Sequence, residues 1–417
     1  MGSRPTFLIV GAGLAGAKAA QTLREEGFDG RVVLLGEEPE RPYERPPLSK
    51  GLLLGTTPRR DVYVHDADWY EAKDVELRTA TRVTGIDRDA RQVVLADGER
   101  LGYDELLLTT GSTPRRLDVP GSGLDGVWYL RTAADSDRIA EALTDRAHLV
   151  VIGAGWIGLE IAAAARQHGA AVTVVETADL PLQRVLGDEV ARVFADLHRQ
   201  HGVTFHFGVG VRQLQGTGRV SSVLLTDGTQ LAADTVVVGV GVQPNVQLAE
   251  AAGLKVENGI VTDARLLSSD PHIYAAGDVA NAYHPLLDRH IRVEHWANAL
   301  NGGPAAARSM LGQQVEYARL PYFFSDQYDL GMEYSGWVAP GGYDQVVFRG
   351  DPAVVDDGAP EFMAFWIKDG RVLAGMNANV WDVTDQIQAL VRAGHGGRAV
   401  DLARLSDPRV PLGDLLS

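Results

Sequence analysis

One pattern occurs twice in this 417-residue chain and constrains its fold more than any other feature. The apolar run Phe7–Val10 leads into Gly11-Ala-Gly13-Leu-Ala-Gly16, a helical stretch to Gly27, and a second apolar run, Arg31–Leu35, that closes at Glu37. The same order returns as Leu149–Ile152, Gly153-Ala-Gly155-Trp-Ile157-Gly158, a helical stretch to about His168, and Ala171–Val175 closing at Glu176. Short apolar runs bounded by glycine read as strands buried on both faces. Two such strands joined through one helix must lie parallel, because a short turn cannot return the chain in the same direction. The chain is therefore expected to contain two parallel sheets.

Each glycine in the pattern has its own task. Gly11 permits the tight turn, Gly13 lets a pyrophosphate approach the backbone, and Gly16 lets helix and strand pack closely; Gly153, Gly155 and Gly158 repeat these roles. The helix that follows offers free N–H groups and a partial positive charge to phosphates. Glu37 can accept hydrogen bonds from an adenosine ribose. Two such sites predict two dinucleotides; one can be a bound flavin and the other an exchanging nicotinamide. Glu176 further predicts NADH rather than NADPH: its carboxylate accepts from a 2′-hydroxyl and repels a 2′-phosphate, and Thr177, Ala178 and Asp179 supply no arginine to hold one.

A second echo follows each unit. Val93–Leu101 and Val223–Leu231 read as hairpins turning at Asp-Gly, and the apolar strands Glu105–Thr109 and Thr235–Val240 then run to Gly111 and Gly241. From about Pro321 the pattern changes to spaced aromatics and short strand-like runs, Gln345–Arg349 and Glu361–Lys368, with a late helix over Val383–Arg392. The expected architecture is α/β, with two Rossmann-like dinucleotide-binding domains and a C-terminal α+β domain. The expected boundaries are 1–115 with 245–320 for one, discontinuous, dinucleotide-binding domain, 116–244 for the other, and 321–417 for the last.

The formal net charge of −16 argues against nucleic acid and anionic membranes as partners. No apolar run reaches the roughly 18–20 residues that span a bilayer, and the opening residues lack a signal-peptide core, so a cytoplasmic location is expected. His284, His290 and His295 lack zinc-ligand spacing, and no metal is expected. There is no cysteine. Disulfide, dithiol, sulfenate and thiolate-held cluster chemistry are thereby excluded.

Far downstream, Ile273-Tyr-Ala-Ala-Gly277-Asp278 reads as a short strand ending in a turn that could hold ribityl or ribose hydroxyls. The chain also carries Arg45-Pro-Pro-Leu-Ser-Lys50, Thr110-Gly111-Ser-Thr-Pro114, Tyr129-Leu-Arg131-Thr132, Trp156-Ile157-Gly-Leu-Glu160, Glu294-x-Trp296 and Ser325-Asp-Gln-Tyr328. With these motifs it resembles the two-dinucleotide-binding flavoprotein reductases over essentially its whole length. Among them it is similar to the ferredoxin reductases of the putidaredoxin-reductase and oxygenase-coupled type. The resemblance implies FAD contacts at Ala15, Glu37, Lys50, Val83, Arg131, Asp278 and Trp296, with Arg45 as a further one. It likewise implies FAD for the discontinuous domain, 1–115 with 245–320, and NAD for 116–244. Thr110, Gly111, Gly277, Ile157 and Gly241 are further candidate cofactor-binding positions. Lys50 and Glu160 are implied as an ion pair beside the isoalloxazine and as the catalytic pair; either charge buried alone would be costly. Hydride transfer needs no general base, so His295 is assigned no chemistry.

Disulfide reductases of this superfamily carry a cysteine pair beside the flavin, and here the corresponding loop is Arg45–Lys50, without sulfur. Electrons must leave the flavin directly for an external acceptor. Flavin can take a hydride and release electrons singly, which suits a [2Fe–2S] ferredoxin partner supplying a cytochrome P450 or a ring-hydroxylating oxygenase. In one departure, Phe324 stands where relatives often have a tryptophan. Because the chain is acidic, docking an acidic ferredoxin would need a local basic face, for which Arg289, Arg292 and Arg308 are candidates. Two alternatives share the same motifs: an NADH:quinone or NADH:oxygen oxidoreductase, and a flavin-bearing interaction protein of the apoptosis-inducing-factor kind. Monomer and homodimer are both compatible with the sequence.

Overall fold

The computed structural model describes residues 4–354 and 358–416. The chain forms two compact units: one takes the chain up to Glu44, Arg59–Thr113 and Gln243–Pro321, the other Arg45–Pro58, Pro114–Val242 and everything from Tyr322 onward.

The first unit is built on a five-stranded parallel sheet in the order Ile273–Ala275, Glu105–Leu108, Thr6–Val10, Arg31–Leu35, Val75–Arg78. Its strands alternate between two cores. Leu8, Val10, Val33, Leu35, Leu106 and Leu108 fill one face, and Phe7, Ile9, Val32, Leu34 and Leu107 fill the other. That two-sided burial explains why the strands read as unbroken apolar runs, and each such side chain contributes about 1.5–3 kcal/mol. The Leu14–Glu25 helix follows the first strand and packs against the Trp296–Met310 helix. A Cβ on Gly303 would lie 2.1 Å from the Ala15 carbonyl oxygen, so glycine sets how closely these helices approach. Small sheets from Val83–Asp87, Gln92–Leu95 and Arg100–Gly102, and from Ile260–Thr262, Ala280–His284 and Arg289–Arg292, complete the unit.

The second unit repeats the plan. Its parallel sheet runs Thr204–His206, Ala171–Val175, His148–Ile152, Thr235–Val238, Val127–Trp128, with the Trp156–Gln167 helix after the central strand. A hairpin sheet of Val211–Thr217, Arg219–Leu225 and Gln230–Ala232 lies beside it. The last part of the chain forms an antiparallel sheet in the order Tyr322–Gln327, Leu330–Gly336, Arg371–Ala378, Phe362–Lys368, Gln345–Gly350, packed by the Thr384–His395 helix. Residues 45–58 join this unit. Their turn, Pro46–Ser49, is tied down where Ser136 Oγ donates to the Leu48 carbonyl at 2.8 Å. The architecture is thus the α/β one expected, two parallel sheets of Rossmann type and a C-terminal antiparallel sheet. Among the described residues no helix is long and apolar enough to cross a membrane.

Candidate dinucleotide sites and a buried ion pair

In the first unit, Gly11 turns the chain out of its strand at φ 116°, and its N–H donates to the Leu35 carbonyl at 2.8 Å. A Cβ there would sit 2.2 Å from the Thr109 carbonyl oxygen, and one on Gly16 would sit 2.2 Å from the Gly11 oxygen. A Cβ on Gly13 would meet nothing within 4 Å. Two glycines are therefore required by packing, while the middle one faces open space. Gly13 is also the helix N-cap, with no side-chain capping bond and no acidic residue in the first turn. The N–H groups there are left for an outside anion. Ala15 is buried in that turn, and Gly277 lies against its methyl group. Asp278 accepts from Ser112 Oγ at 2.8 Å. Thr110 and Asn245 exchange two hydrogen bonds, each 2.8 Å, just before Gly111 turns at φ 68°. Val83 is buried, whereas Glu37 is largely exposed, 3.6 Å from Arg82 Nε. Trp296 opens its helix, and the preceding His295 is held neutral, its imidazole pushed down to about 4 by burial.

The second unit matches this geometry. Gly153 turns at φ 100° and its N–H donates to the Val175 carbonyl at 2.8 Å. Cβ atoms on Gly153 and Gly158 would lie 2.4 Å from the Gly239 oxygen and 2.2 Å from the Gly153 oxygen, and one on Gly155 would meet nothing within 4 Å. Gly155 caps its helix without a side-chain bond. Ile157, in the first turn, is 44% exposed. Glu176 is drawn into the turn: Oε2 accepts from the Ala154 N–H at 2.8 Å, and Oε1 from the Ala178 N–H at 2.9 Å and Thr177 Oγ1 at 3.0 Å. Gly241, at φ 95°, accepts from the Arg115 N–H at 2.9 Å.

The same unit contains the ion pair. Lys50 Nζ lies 2.8 Å from Glu160 Oε1, and Glu160 is only 6% exposed. Two hydroxyls share the carboxylate: Ser325 Oγ donates to Oε1 at 2.7 Å and Ser49 Oγ donates to Oε2. Burying a carboxylate costs several kcal/mol, which a pair offsets only when its remaining lone pairs are also satisfied, as they are here. Lys50 Nζ also sits 5.6 Å from the Phe324 ring centroid. Asp326 is held above the ordinary carboxylate range, chiefly by burial and against the pull of Lys50. Arg45 Nη1 donates to the Arg131 carbonyl at 2.5 Å. Sequence reasoning named Lys50 and Glu160 but not Ser49 as a ligand of the pair, nor Gln327 or His198 behind it. No local spacing connects the Ser49–Lys50 turn or the Ser325–Gln327 strand with Glu160 or His198.

Two of the three candidate docking arginines are ion-paired within their own unit. Arg308 pairs with Glu26 at 2.7 Å, and Arg292, largely buried, pairs with Glu294. His284 bonds the Arg319 carbonyl at 2.9 Å, and among the described residues no three His, Asp or Glu side chains converge as a metal site would require.

The family described as "Pyridine nucleotide-disulphide oxidoreductase" matches residues 5–303, and the one described as "Reductase C-terminal" matches residues 322–416. The chain belongs to the pyridine nucleotide-disulphide oxidoreductases, and it is an oxidoreductase with FAD and NAD(H) as cofactors. The anthranilate 1,2-dioxygenase system ferredoxin–NAD(+) reductase component of Burkholderia cepacia is 40% identical, over 98% of this chain and 99% of its own. Putidaredoxin reductase of Pseudomonas putida is 39% identical, over 90% of this chain and 88% of its own. A crystal structure of the covalent putidaredoxin reductase–putidaredoxin complex matches with TM-score 0.93 at 37% identity, covering 100% of this chain and 99% of that one. The residues present fit both cofactors. Each glycine turn is open only in front of its middle glycine, and each helix start leaves its N–H groups uncapped.

Proposed function

We propose that this protein is an NADH-dependent reductase that delivers electrons one at a time to a [2Fe–2S] ferredoxin serving a cytochrome P450 or a ring-hydroxylating oxygenase. The observation that carries this reading is the sulfur-free ion pair. In a disulphide-oxidoreductase fold, the Arg45–Lys50 loop holds a buried Lys50–Glu160 pair, and the chain has no cysteine anywhere. No thiol can relay electrons, so the acceptor must take them from the flavin itself. The relatives' names point the same way: the Burkholderia cepacia protein is named as the ferredoxin–NAD(+) reductase component of a dioxygenase system, and a Cupriavidus relative as the ferredoxin reductase component of a chlorobenzene dioxygenase.

The proposed division of labour is residue by residue. Gly11, Gly13, Ala15, Gly16, Glu37, Val83, Thr110, Gly111, Gly277, Asp278 and Trp296 would hold FAD, with Arg45, Lys50 and Arg131 also assigned to it by family resemblance. FAD, when bound, accepts a hydride and gives up electrons singly. Gly153, Gly155, Ile157, Gly158, Glu176 and Gly241 would hold the nicotinamide dinucleotide. Glu176, already fixed by the Ala154 and Ala178 N–H groups, presents a carboxylate that favours a ribose 2′-hydroxyl and repels a 2′-phosphate. Lys50 would place a positive charge where reduced flavin becomes anionic, and Glu160 would hold that ammonium in place. The domain roles follow: 1–115 with 245–320 for FAD, 116–244 for NAD, and 321–417 as the C-terminal module.

The test is a stopped-flow comparison of acceptors after reduction by NADH. Rapid reoxidation by a [2Fe–2S] ferredoxin, with quinone and oxygen at least tenfold slower, is expected. Faster reoxidation by a quinone than by any ferredoxin would overturn the reading.

A further inference from the structure

A buried polar chain runs behind the ion pair, and the catalytic role proposed above does not account for it. Ser325 and Gln327 lie two apart on the Tyr322–Gln327 strand and so face the same side. Ser325 Oγ bonds Glu160 Oε1 at 2.7 Å, Gln327 Nε2 donates to Ser325 Oγ at 3.1 Å, and Gln327 Oε1 lies 2.8 Å from His198 Nε2. Beyond it, His198 Nδ1 lies 3.3 Å from the Tyr328 hydroxyl. Ser325, Gln327 and His198 are each at most 1% exposed.

The donor inventory fixes the direction of every link. Ionised Glu160 only accepts, so Ser325 spends its single proton on it. Ser325 Oγ must then accept from the Gln327 amide nitrogen, which turns the amide oxygen toward His198. His198 therefore carries its proton on Nε2, leaving Nδ1 to accept from Tyr328. Burial supports this state: it pushes the imidazole down to about 4 and the Tyr328 phenol up, keeping the first neutral and the second a donor. All links point toward one carboxylate, and aligned bonds in a low-dielectric interior strengthen one another. A carboxamide neither releases nor takes up a proton at accessible pH, so Gln327 makes the chain an orienting device and not a proton wire.

We propose that Ser325, Gln327 and His198 are positioning residues: a one-way donor chain that holds the Glu160 carboxylate in the orientation that receives Lys50 and thereby tunes the flavin reaction. This rests on the reading that the Lys50–Glu160 pair serves the flavin.

The direction of the chain is tested by 15N NMR of the histidine imidazoles in the FAD-bound protein. His198 is expected in the neutral Nε2–H form near neutral pH; an Nδ1–H form or an imidazolium there would overturn the proposal. Its consequence is tested with Gln327→Leu, Ser325→Ala, Ser325→Thr and Glu160→Gln, by flavin midpoint potential and by the rate of reduction by NADH. Gln327→Leu and Ser325→Ala are expected to slow reduction about tenfold and to shift the potential by about 30 mV, the two-electron equivalent of tenfold. Ser325→Thr, which keeps the hydroxyl donor, should restore both. A shift with Glu160→Gln but none with Gln327→Leu or Ser325→Ala would sink the chain alone. No shift with Glu160→Gln would sink the underlying role of the ion pair, and the chain with it. If Gln327→Leu fails to fold, the Ser325 pair decides.

Discussion

The two glycine turns share one plan but differ in what surrounds them. Opposite Gly11 stands Thr109, whose hydroxyl donates to the Gly11 carbonyl at 2.7 Å; opposite Gly153 stands Gly239, which has no side chain to do so. The first helix start is enclosed, with Leu14 and Ala15 buried and Gly303 of a second helix pressed on the Ala15 backbone. The second presents Ile157 to solvent. The acids differ in the opposite sense: Glu37 is loose, and Glu176 is held by two backbone N–H groups. On the proposed assignment, a turn tied from the neighbouring strand and covered by a helix suits a resident cofactor. An uncovered turn with a pre-set carboxylate suits a visitor that must be recognised at every cycle.

The comparison breaks most directly at the turns themselves. Valine at position 11 would drive a Cβ to 2.2 Å from backbone, where nothing flexible can give way. Gly11→Val is expected to lose FAD at least tenfold, read as flavin absorbance per protein. Gly153→Val should stay yellow but no longer be bleached by NADH. A yellow Gly11→Val protein would refute the assignment of the enclosed turn to the resident cofactor.

The next largest effect belongs to the second unit alone. Lys50→Met leaves Glu160 buried and charged without its cation. Stranding one partner of a buried pair costs 3–5 kcal/mol, and about 3 kcal/mol is expected here because Lys50 is partly exposed. Glu160→Gln can still bond Ser49 and Ser325 and should cost about half as much. Denaturant unfolding of the FAD-saturated proteins measures both. Equal losses would mean that hydrogen bonding, not charge, governs the site.

The contrast between the turns also shows what the amino-acid order can reveal. The turns, their strands and both acids are local: a periodic apolar run, three glycines and one carboxylate lie within about thirty residues, so both parallel sheets were legible. The surroundings were not. Thr109 meets Gly11 from 98 residues away, Ser325 meets Glu160 from 165, and His198 meets Gln327 from 129. The helix Gln183–Gln200 carries no start signal either: it follows Leu182 at φ 56°, lacks a side-chain cap and is interrupted by Gly187 at φ 76°. Residues 45–58 join the second unit through Ser136 and His168, partners no spacing rule could name.

Acid should act on both units alike. His198 in the second and His295 in the first are each held near 4 by burial, against 6.5 in the open chain. Above pH 6.5 neither state binds the proton and nothing is lost. As pH falls from 6.5 toward 4, the unfolded chain takes up protons that the folded one refuses, so stability declines. By about pH 5 each histidine should have removed about 2 kcal/mol. His198→Phe is expected to flatten this dependence by that amount in denaturant titrations. An unchanged slope would show that His198 takes up its proton as readily in the folded protein as in the unfolded chain.

The smallest effect sharpens the contrast between the acids. Glu176→Ala removes a carboxylate that is already oriented, so little of its binding contribution is spent on ordering it, and the loss should approach one charge-assisted hydrogen bond. That is about 1.4 kcal/mol, or a tenfold rise in KM for NADH. The discrimination against NADPH should narrow as well, because the repelling charge is gone. Glu37→Ala removes an exposed side chain near Arg82 and should leave KM for NADH unchanged while weakening FAD retention a fewfold. If Glu37→Ala instead raised KM for NADH and Glu176→Ala released FAD, the two turns would have to exchange cofactors. The covering helix and the Thr109 hydroxyl would then have to be explained as stabilising the fold rather than as retaining a ligand.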